Sequence, residues 1–440
     1  MRRYFIWLHR YMGLTIAGFL VVTGLTGAII SWDHELDEWL NPHLLEANTQ
    51  GTPQSATALA AEVERQYPQV QVSYYELAPE PGHTYYYWVE PRVNPETGKL
   101  YKPGFNQVYV DPVSGEIQGT REWGAIWPVT SENFVSFLYK LHFSLHIPEL
   151  WGIDHWGLWL LGVIALIWTF DCFVGFYLTL PRRKRSSLAG GASGVAKAGG
   201  FWQRWKPAWK IRARSGPTKL NFDLHRAFGL WTWILLFVIA FTGFSLNLYR
   251  EVFFPLMSMV SDVTPTPIDE RAPSGHHNPI EPNYGFARAI ELGAQAGQAK
   301  GWEAPVGSLW HAREFGIYRV EFFTPAEGHG AGGVGHKAVY LDSKTGELLG
   351  DWIPWRGTAA DLFVQAQFPL HSGRILGLPG RILISVMGLV IAMLSITGVV
   401  IWYKKLKARK ARRARQAVPA MEEYVKPGLP DNGWQTRPQP

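Results

Sequence analysis

The chain has 440 residues, a formal charge of +6, 47% apolar side chains and a mean hydropathy of −0.06. That combination excludes a chain embedded in lipid throughout and places the apolar residues in a few segments beside polar domains. The single cysteine, Cys172, excludes any intrachain disulfide.

Four apolar segments follow in chain order, over 5–32, 156–180, 224–248 and 381–402. Each supplies about 20 mostly apolar residues, the length an α-helix needs to cross roughly 30 Å of hydrocarbon. The first is too long for a signal peptide and lacks a small-residue cleavage site, so a retained span is expected. Arg2 and Arg3 precede the first span. Arg182, Arg183, Lys184 and Arg185 open a connector that carries no acid before Asp223, and a basic run from Lys404 to Arg415 follows the last span. The positive-inside rule puts all three stretches on the cytoplasmic side. Segment 35–140 holds 14 acids against 6 bases and segment 250–361 holds 14 against 9, so both large loops are expected outside. The expected location is the bacterial inner membrane, with both termini cytoplasmic and the loops in the periplasm. The basic runs suit anionic lipid, and no nucleic-acid partner is expected.

The connector over 186–200 is rich in Gly, Ala and Ser, which reads as a flexible link between two halves. Each half runs helix, external domain, helix. The external domains share a phrase, with Tyr109, Asp111, Ser114, Gly115 and Glu116 in the first and Tyr340, Asp342, Thr345, Gly346 and Glu347 in the second. An alternating strand followed by a D-x-x-[ST]-G turn predicts a hairpin. Helical periodicity over 56–66 and 284–299 predicts a helix ahead of each sheet.

A longer repeat opens two of the spans. Leu8-His9-Arg10-Tyr11-Met12-Gly13-Leu14 and Leu224-His225-Arg226-Ala227-Phe228-Gly229-Leu230 are both L-H-R-x-x-G-L. His9 thereby matches His225 near the cytoplasmic face. On the outer side His146, with Gly152 after it, matches His371, with Gly377 after it at the same spacing. Two histidine pairs at two depths are the result. Facing imidazoles in a helix bundle are a common way to hold a b-type haem, because a neutral nitrogen from each side fills both axial positions of the iron. Two haem b groups per chain are expected, with His9, His225, His146 and His371 as iron ligands. Gly13 and Gly229, one turn after their histidines, leave room for a flat macrocycle. Arg10 and Arg226 are placed to meet its propionates. His142 lies one turn before His146, opposite Gln367 in the second half, and is an alternative ligand or a supporting partner. The absence of C-x-x-C-H excludes a covalent c-type haem.

The L-H-R-x-x-G-L openings, the Thr-Gly steps at Thr23-Gly24, Thr26-Gly27, Thr242-Gly243 and Thr397-Gly398, and the repeated hairpins together resemble the PepSY-associated transmembrane family. Its members include inner-membrane reductases that release iron from ferric siderophores, and the resemblance covers 3–407. It implies an internally duplicated α+β membrane protein, a four-transmembrane-helix bundle with two periplasmic PepSY-like α/β domains. Divided that way, the chain has transmembrane helices at 1–33, 146–181, 223–249 and 371–403. Periplasmic domains fill 34–145 and 250–370, a basic cytoplasmic linker 182–222 and a basic cytoplasmic tail 404–440.

Haem sites near opposite faces form a wire across the bilayer. The expected function is a transmembrane oxidoreductase passing electrons from the cytoplasmic side to a periplasmic ferric siderophore or other ferric chelate, releasing ferrous iron. No flavin or nicotinamide site is visible, so a quinol or a separate cytoplasmic reductase is the expected donor. The acidic loops suit a neutral or cationic chelate. Tyr74, Tyr75, Tyr85, Tyr86, Tyr87, Trp88, Trp302, Trp310 and His311 are weak candidates for a substrate cleft, with Trp310 and His311 the ones singled out. Asp171, a carboxylate inside a span, is a candidate proton relay or a partner for Thr169 or a ligand imidazole. The string Gly330 to Gly335 satisfies G-x-G-x-x-G but precedes a strand, so it reads as a mobile loop and not a dinucleotide site. Two other classes remain, a haem-free membrane-anchored periplasmic sensor or scaffold and an iron or siderophore permease.

Overall fold

The computed structural model describes residues 1–182, 200–328 and 330–417. Most of the expected flexible linker and the end of the basic tail lie outside the described residues. Its helices and strands, taken in order, are α1 (Arg2–Ile30), α2 (Ala56–Gln66), β1 (Val70–Glu76), β2 (Tyr85–Pro91), β3 (Gln107–Val110) and β4 (Ile117–Arg121). These lead into α3 (Ser131–Ser144), α4 (Trp156–Thr179), α5 (Pro217–Trp231) and α6 (Trp233–Asn247). The remainder is α7 (Phe286–Ala299), β5 (Val306–Ala312), β6 (Ile317–Phe322), β7 (Lys337–Asp342), β8 (Leu348–Trp352), α8 (Gln367–Ser372) and α9 (Leu378–Ala417). Further short helices connect these.

Three helices, α1, α4 and α9, are long and apolar enough to cross a membrane, and a fourth crossing is made if α5 and α6 count as one. The continuous third span expected over 223–249 is corrected here, because α5 and α6 meet at 72°. Thr232 leaves helical dihedrals at φ −103° and ψ 10°, and its hydroxyl donates to the Phe228 carbonyl. That back-bonding to the carbonyl one turn earlier, beside the Thr232 amide's own bond to it, accompanies the bend without proline or glycine at the break. His225 therefore rides on a short helix angled across the bundle end. α9 runs along α1, and α6 along α4. A Cβ on Gly24 would lie 2.7 Å from the Gly388 carbonyl, so glycine sets the close approach of α1 and α9.

Both polar units have one plan, a helix against a four-stranded antiparallel meander. In the turn before β4, Asp111 accepts from the amides of Val113 and Ser114, and Gly115 has φ 77°. In the turn before β8, Asp342 accepts from Lys344 and Thr345, and Gly346 has φ 79°. The repeated phrase is thus an aspartate-capped turn closed by a glycine in the left-handed region. β1 pairs antiparallel with β5, Tyr74 opposite Trp310, so the meanders fuse into one sheet ordered β4-β3-β2-β1-β5-β6-β7-β8.

Alternation then divides the sheet's side chains between two faces. Tyr75, Tyr87 and Val108 are buried with Val63 of α2, and Leu309, Tyr318 and Val339 with Ala289 of α7. Phe286 joins the two cores, its ring 5.2 Å from that of Tyr75 and 5.4 Å from that of Tyr318. A buried arginine seats the sheet on the helices. Arg121 binds Gln107 through Nε, and through one Nη it reaches Asp37 at 2.8 Å and the Glu132 carbonyl at the start of α3.

Candidate functional site: two facing imidazole pairs

Four histidines from distant parts of the chain meet in two pairs. His9 of α1 and His225 of α5 have ring centres 6.2 Å apart. His142 of α3 and His371 of α8 have ring centres 6.2 Å apart as well.

Each ring is held in the same manner. The His225 Nδ1–H donates to the Leu394 carbonyl at 3.0 Å and lies 3.1 Å from the Thr397 hydroxyl. His142 places Nδ1 3.0 Å from the Thr26 hydroxyl, and His371 places Nδ1 2.9 Å from the Thr242 hydroxyl. Thr26 and Thr242 spend their own protons on Val22 and Val238 carbonyls, so each accepts from its histidine. His9 donates Nδ1–H to both oxygens of Asp171, each 2.9 Å away. The network therefore assigns the proton to Nδ1 in all four rings and leaves the Nε2 lone pair available. Among the described residues no Nε2 of these four makes a hydrogen bond.

Three of the four Thr-Gly steps thus have a local role, Thr23-Gly24 being the exception. The threonines of these three orient imidazoles, and the glycines that follow make room for the rings. A Cβ on Gly27 would lie 2.8 Å from His142 Cε1, one on Gly398 3.2 Å from His225, and one on Gly243 3.5 Å from His371. Gly175 has that place beside His9, at 3.5 Å. Position for position, α4 and α9 differ at this site. Asp171 stands where α9 has Leu394, and Val174 where it has Thr397. The carboxylate in the first half does what a carbonyl and a hydroxyl do in the second.

The inner pair lines a cavity of about 440 Å³, a volume in the range of small-molecule and cofactor sites. Gly13 and Gly229 both line it, and a Cβ on Gly13 would meet nothing within 4 Å. Arg2, Arg10, Arg182, Arg226 and Lys405 also line it. Arg226 has two tasks already, donating to the Pro207 carbonyl and to Asp223. Arg10 has no ion pair among the described residues.

His146 does not face His371, so the expected outer pair of His146 and His371 is corrected to His142 and His371. Leu145 and His146 leave α3 in the left-handed region, with φ 55° and 53°. The His146 ring stacks on Phe137 and its Nε2 donates to the Phe137 carbonyl at 2.8 Å. The halves differ in length at this point. The stretch from His142 to Gly157 is six residues longer than the one from His371 to Gly380, although Gly157 against the Ser144 carbonyl and Gly380 against the Gly373 carbonyl make the same close contact. An ungapped match therefore put His146 where His142 belongs. Gln367, opposite His142 in that match, is a structural residue that accepts from Ser245.

The aromatic cleft is corrected too. Tyr75, Tyr85 and Tyr87 are core residues, and His311 is fully buried with its ring 4.5 Å from Tyr318. Trp310, half-buried, sits at the seam between the two meanders. Burial, aided by the charges of Arg313 and Lys344, pushes the His311 pKa down to about 3. The Gly330 to Gly335 string leads into β7, and Gly333 lies against Arg374.

Residues 6–405 match the PepSY-associated TM region family. No curated protein matches the chain.

Proposed function

The chain belongs to the PepSY-associated TM region family and is a membrane protein, and from that premise we propose that it is an inner-membrane b-type haem oxidoreductase. It passes electrons from a quinol or a reductase on the cytoplasmic side to a ferric chelate, of the siderophore type, in the periplasm. The observation that carries this reading is the arrangement of four imidazoles in two facing pairs, each with Nδ1–H engaged and Nε2 available.

The residues fit a planar iron cofactor. Two metal–nitrogen bonds of about 2.0–2.1 Å plus two ring radii of about 1.1 Å put facing ring centres about 6.3 Å apart, close to the separation of both pairs. Gly13 and Gly229 keep the walls of the inner cavity low, and its basic rim suits carboxylates. When bound, a haem iron with two imidazole ligands supplies reversible one-electron transfer. His9 and His225 would hold one such group and His142 and His371 the other. Thr26, Thr242 and Thr397 keep their rings in the ligating tautomer, and Asp171 makes His9 the more electron-rich ligand. A quinol gives up two electrons and two protons, enough to reduce two ferric ions, and the ferrous ions bind hard oxygen donors more weakly. The two polar units are read as PepSY domains on the periplasmic side.

The test is a visible spectrum of the detergent-purified protein before and after dithionite, with a pyridine haemochrome count. Two six-coordinate low-spin b haems per chain are expected, and His225→Ala and His371→Ala should each lose one. A colourless protein that takes up no added haem would overturn the proposal and favour a membrane-anchored sensor or scaffold.

A further inference from the structure

A second cluster of metal-ligating side chains lies outside both imidazole pairs. The short helix Asp33–Leu40 follows α1 directly and packs against α3, the helix that carries His142. His34 and Glu38 stand one turn apart on it, His34 Nε2 3.2 Å from Glu38 Oε1. Facing them is the tight turn Glu80-Pro81-Gly82-His83. Proline at its second position, Gly82 at φ 87° and the His83 amide donating to the Glu80 carbonyl at 3.0 Å make it a type II turn. Such a turn brings its first and last side chains together. The neighbouring segment fixes it, because Ala47 donates to the Gly82 carbonyl and Thr84 to the Leu45 carbonyl.

Ligand atoms of His34, Glu38 and Glu80 lie within 4.8 Å of one another. His83 Nε2 is 3.3 Å from the same Glu38 oxygen, and its Nδ1 is buried without a hydrogen bond, 4.0 Å from Glu80. Charge pairing on the helix is selective. Asp33 pairs with Arg374, Glu35 with Arg381 and Asp37 with Arg121, whereas Glu38 meets only histidines. Glu80, likewise, has no lysine or arginine partner among the described residues.

We propose that His34, Glu38, Glu80 and His83 form a binding site for a first-row divalent cation. Two carboxylates balance the ion's charge, and imidazole with carboxylate selects first-row transition ions over magnesium or calcium. The side chains are a third to a half exposed, so positions stay open for water or an incoming ligand. Resting on the reductase reading, the ion is ferrous iron, held as it leaves the reduced chelate near the outer imidazole pair.

Calorimetric titration of the full-length detergent-purified protein with zinc or cobalt, and anaerobically with ferrous iron, tests the site. One ion per chain is expected in the wild type and in a Glu122→Gln control. Glu38→Gln/Glu80→Gln should bind more weakly by more than the about 10–100-fold that loss of a supporting partner costs, and His83→Ala by about that amount. Equal binding by wild type and the double variant, or none by the wild type, would overturn the site. The haem spectrum is recorded on the same samples. Metal binding by a colourless protein would retain the site and remove the reductase.

Discussion

Asp171 is where the two halves of the molecule part company, and a single oxygen pair carries the difference. A carboxylate that accepts the Nδ1 proton makes an imidazole a stronger donor to its metal than a carbonyl or a hydroxyl does. In the proposed haem site, electron density pushed toward the iron would stabilise its ferric state. Asp171→Asn keeps an oxygen able to accept from His9, so the inner group should stay bound. Its midpoint potential should rise by tens of millivolts, where about 59 mV is a tenfold change for one electron. A redox titration following the inner signal decides it, and an unchanged potential would reduce the carboxylate to a positioning role. The glycines sort in the same way by what stands opposite. Gly27→Ala drives a Cβ into His142 and should cost about 1–3 kcal/mol along with the outer low-spin signal. Gly13→Ala faces open space in the protein, so the fold should tolerate it and only occupancy of the inner site should fall.

Among the elements, what could be read ahead of the fold was whatever repeats locally. L-H-R-x-x-G-L lies within one helical stretch, so no insertion disturbs its register and His9 and His225 stand out. His142 was harder to assign, because a six-residue extension after α3 shifts the alignment and offers a second histidine in its place. The turns of the two meanders were legible from Asp and Gly positions alone. The bend at Thr232 was not, since threonine is ordinary in apolar helices. Nor does alternation of aromatics say which face of a strand is covered, and His311 shows the consequence. Its folded-state pKa lies below the ordinary histidine value, so the unfolded chain binds more protons below about pH 6.5. The resulting stability is present above that pH and is lost as pH falls toward about 3. Tyr75 occupies the matching core position in the first meander. His311→Phe should therefore flatten the acid slope over that window by on the order of a few kcal/mol, read from denaturant midpoints at several pH values. An identical slope in both proteins would show that His311 is already charged or already solvated in the fold.

For the whole molecule, the two halves together make an object that neither could make alone. α1 carries one member of the inner pair and the Thr-Gly bed for the outer one, and between His9 and Gly27 lies about 27 Å of helical rise at about 1.5 Å per residue, close to the thickness of the hydrocarbon. Each pair takes one histidine from each half, and β1–β5 pairing joins the halves again above the helices. That strand pairing has no local sign in the sequence, because an edge strand does not specify its neighbour. On the proposed reading the two sites spaced along one helix would act in series, so loss of either should stop the whole. In sealed vesicles with the donor inside and a ferric chelate outside, His225→Ala and His371→Ala should each lower transmembrane reduction by orders of magnitude. The remaining haem should still be reduced by dithionite. Failure should also be directional. Without the inner site the donor no longer reduces the outer haem, whereas without the outer site the inner haem becomes reduced and stays so when the chelate is added. Wild-type rates in either variant would mean that electrons bypass one pair, and the series arrangement would have to be abandoned.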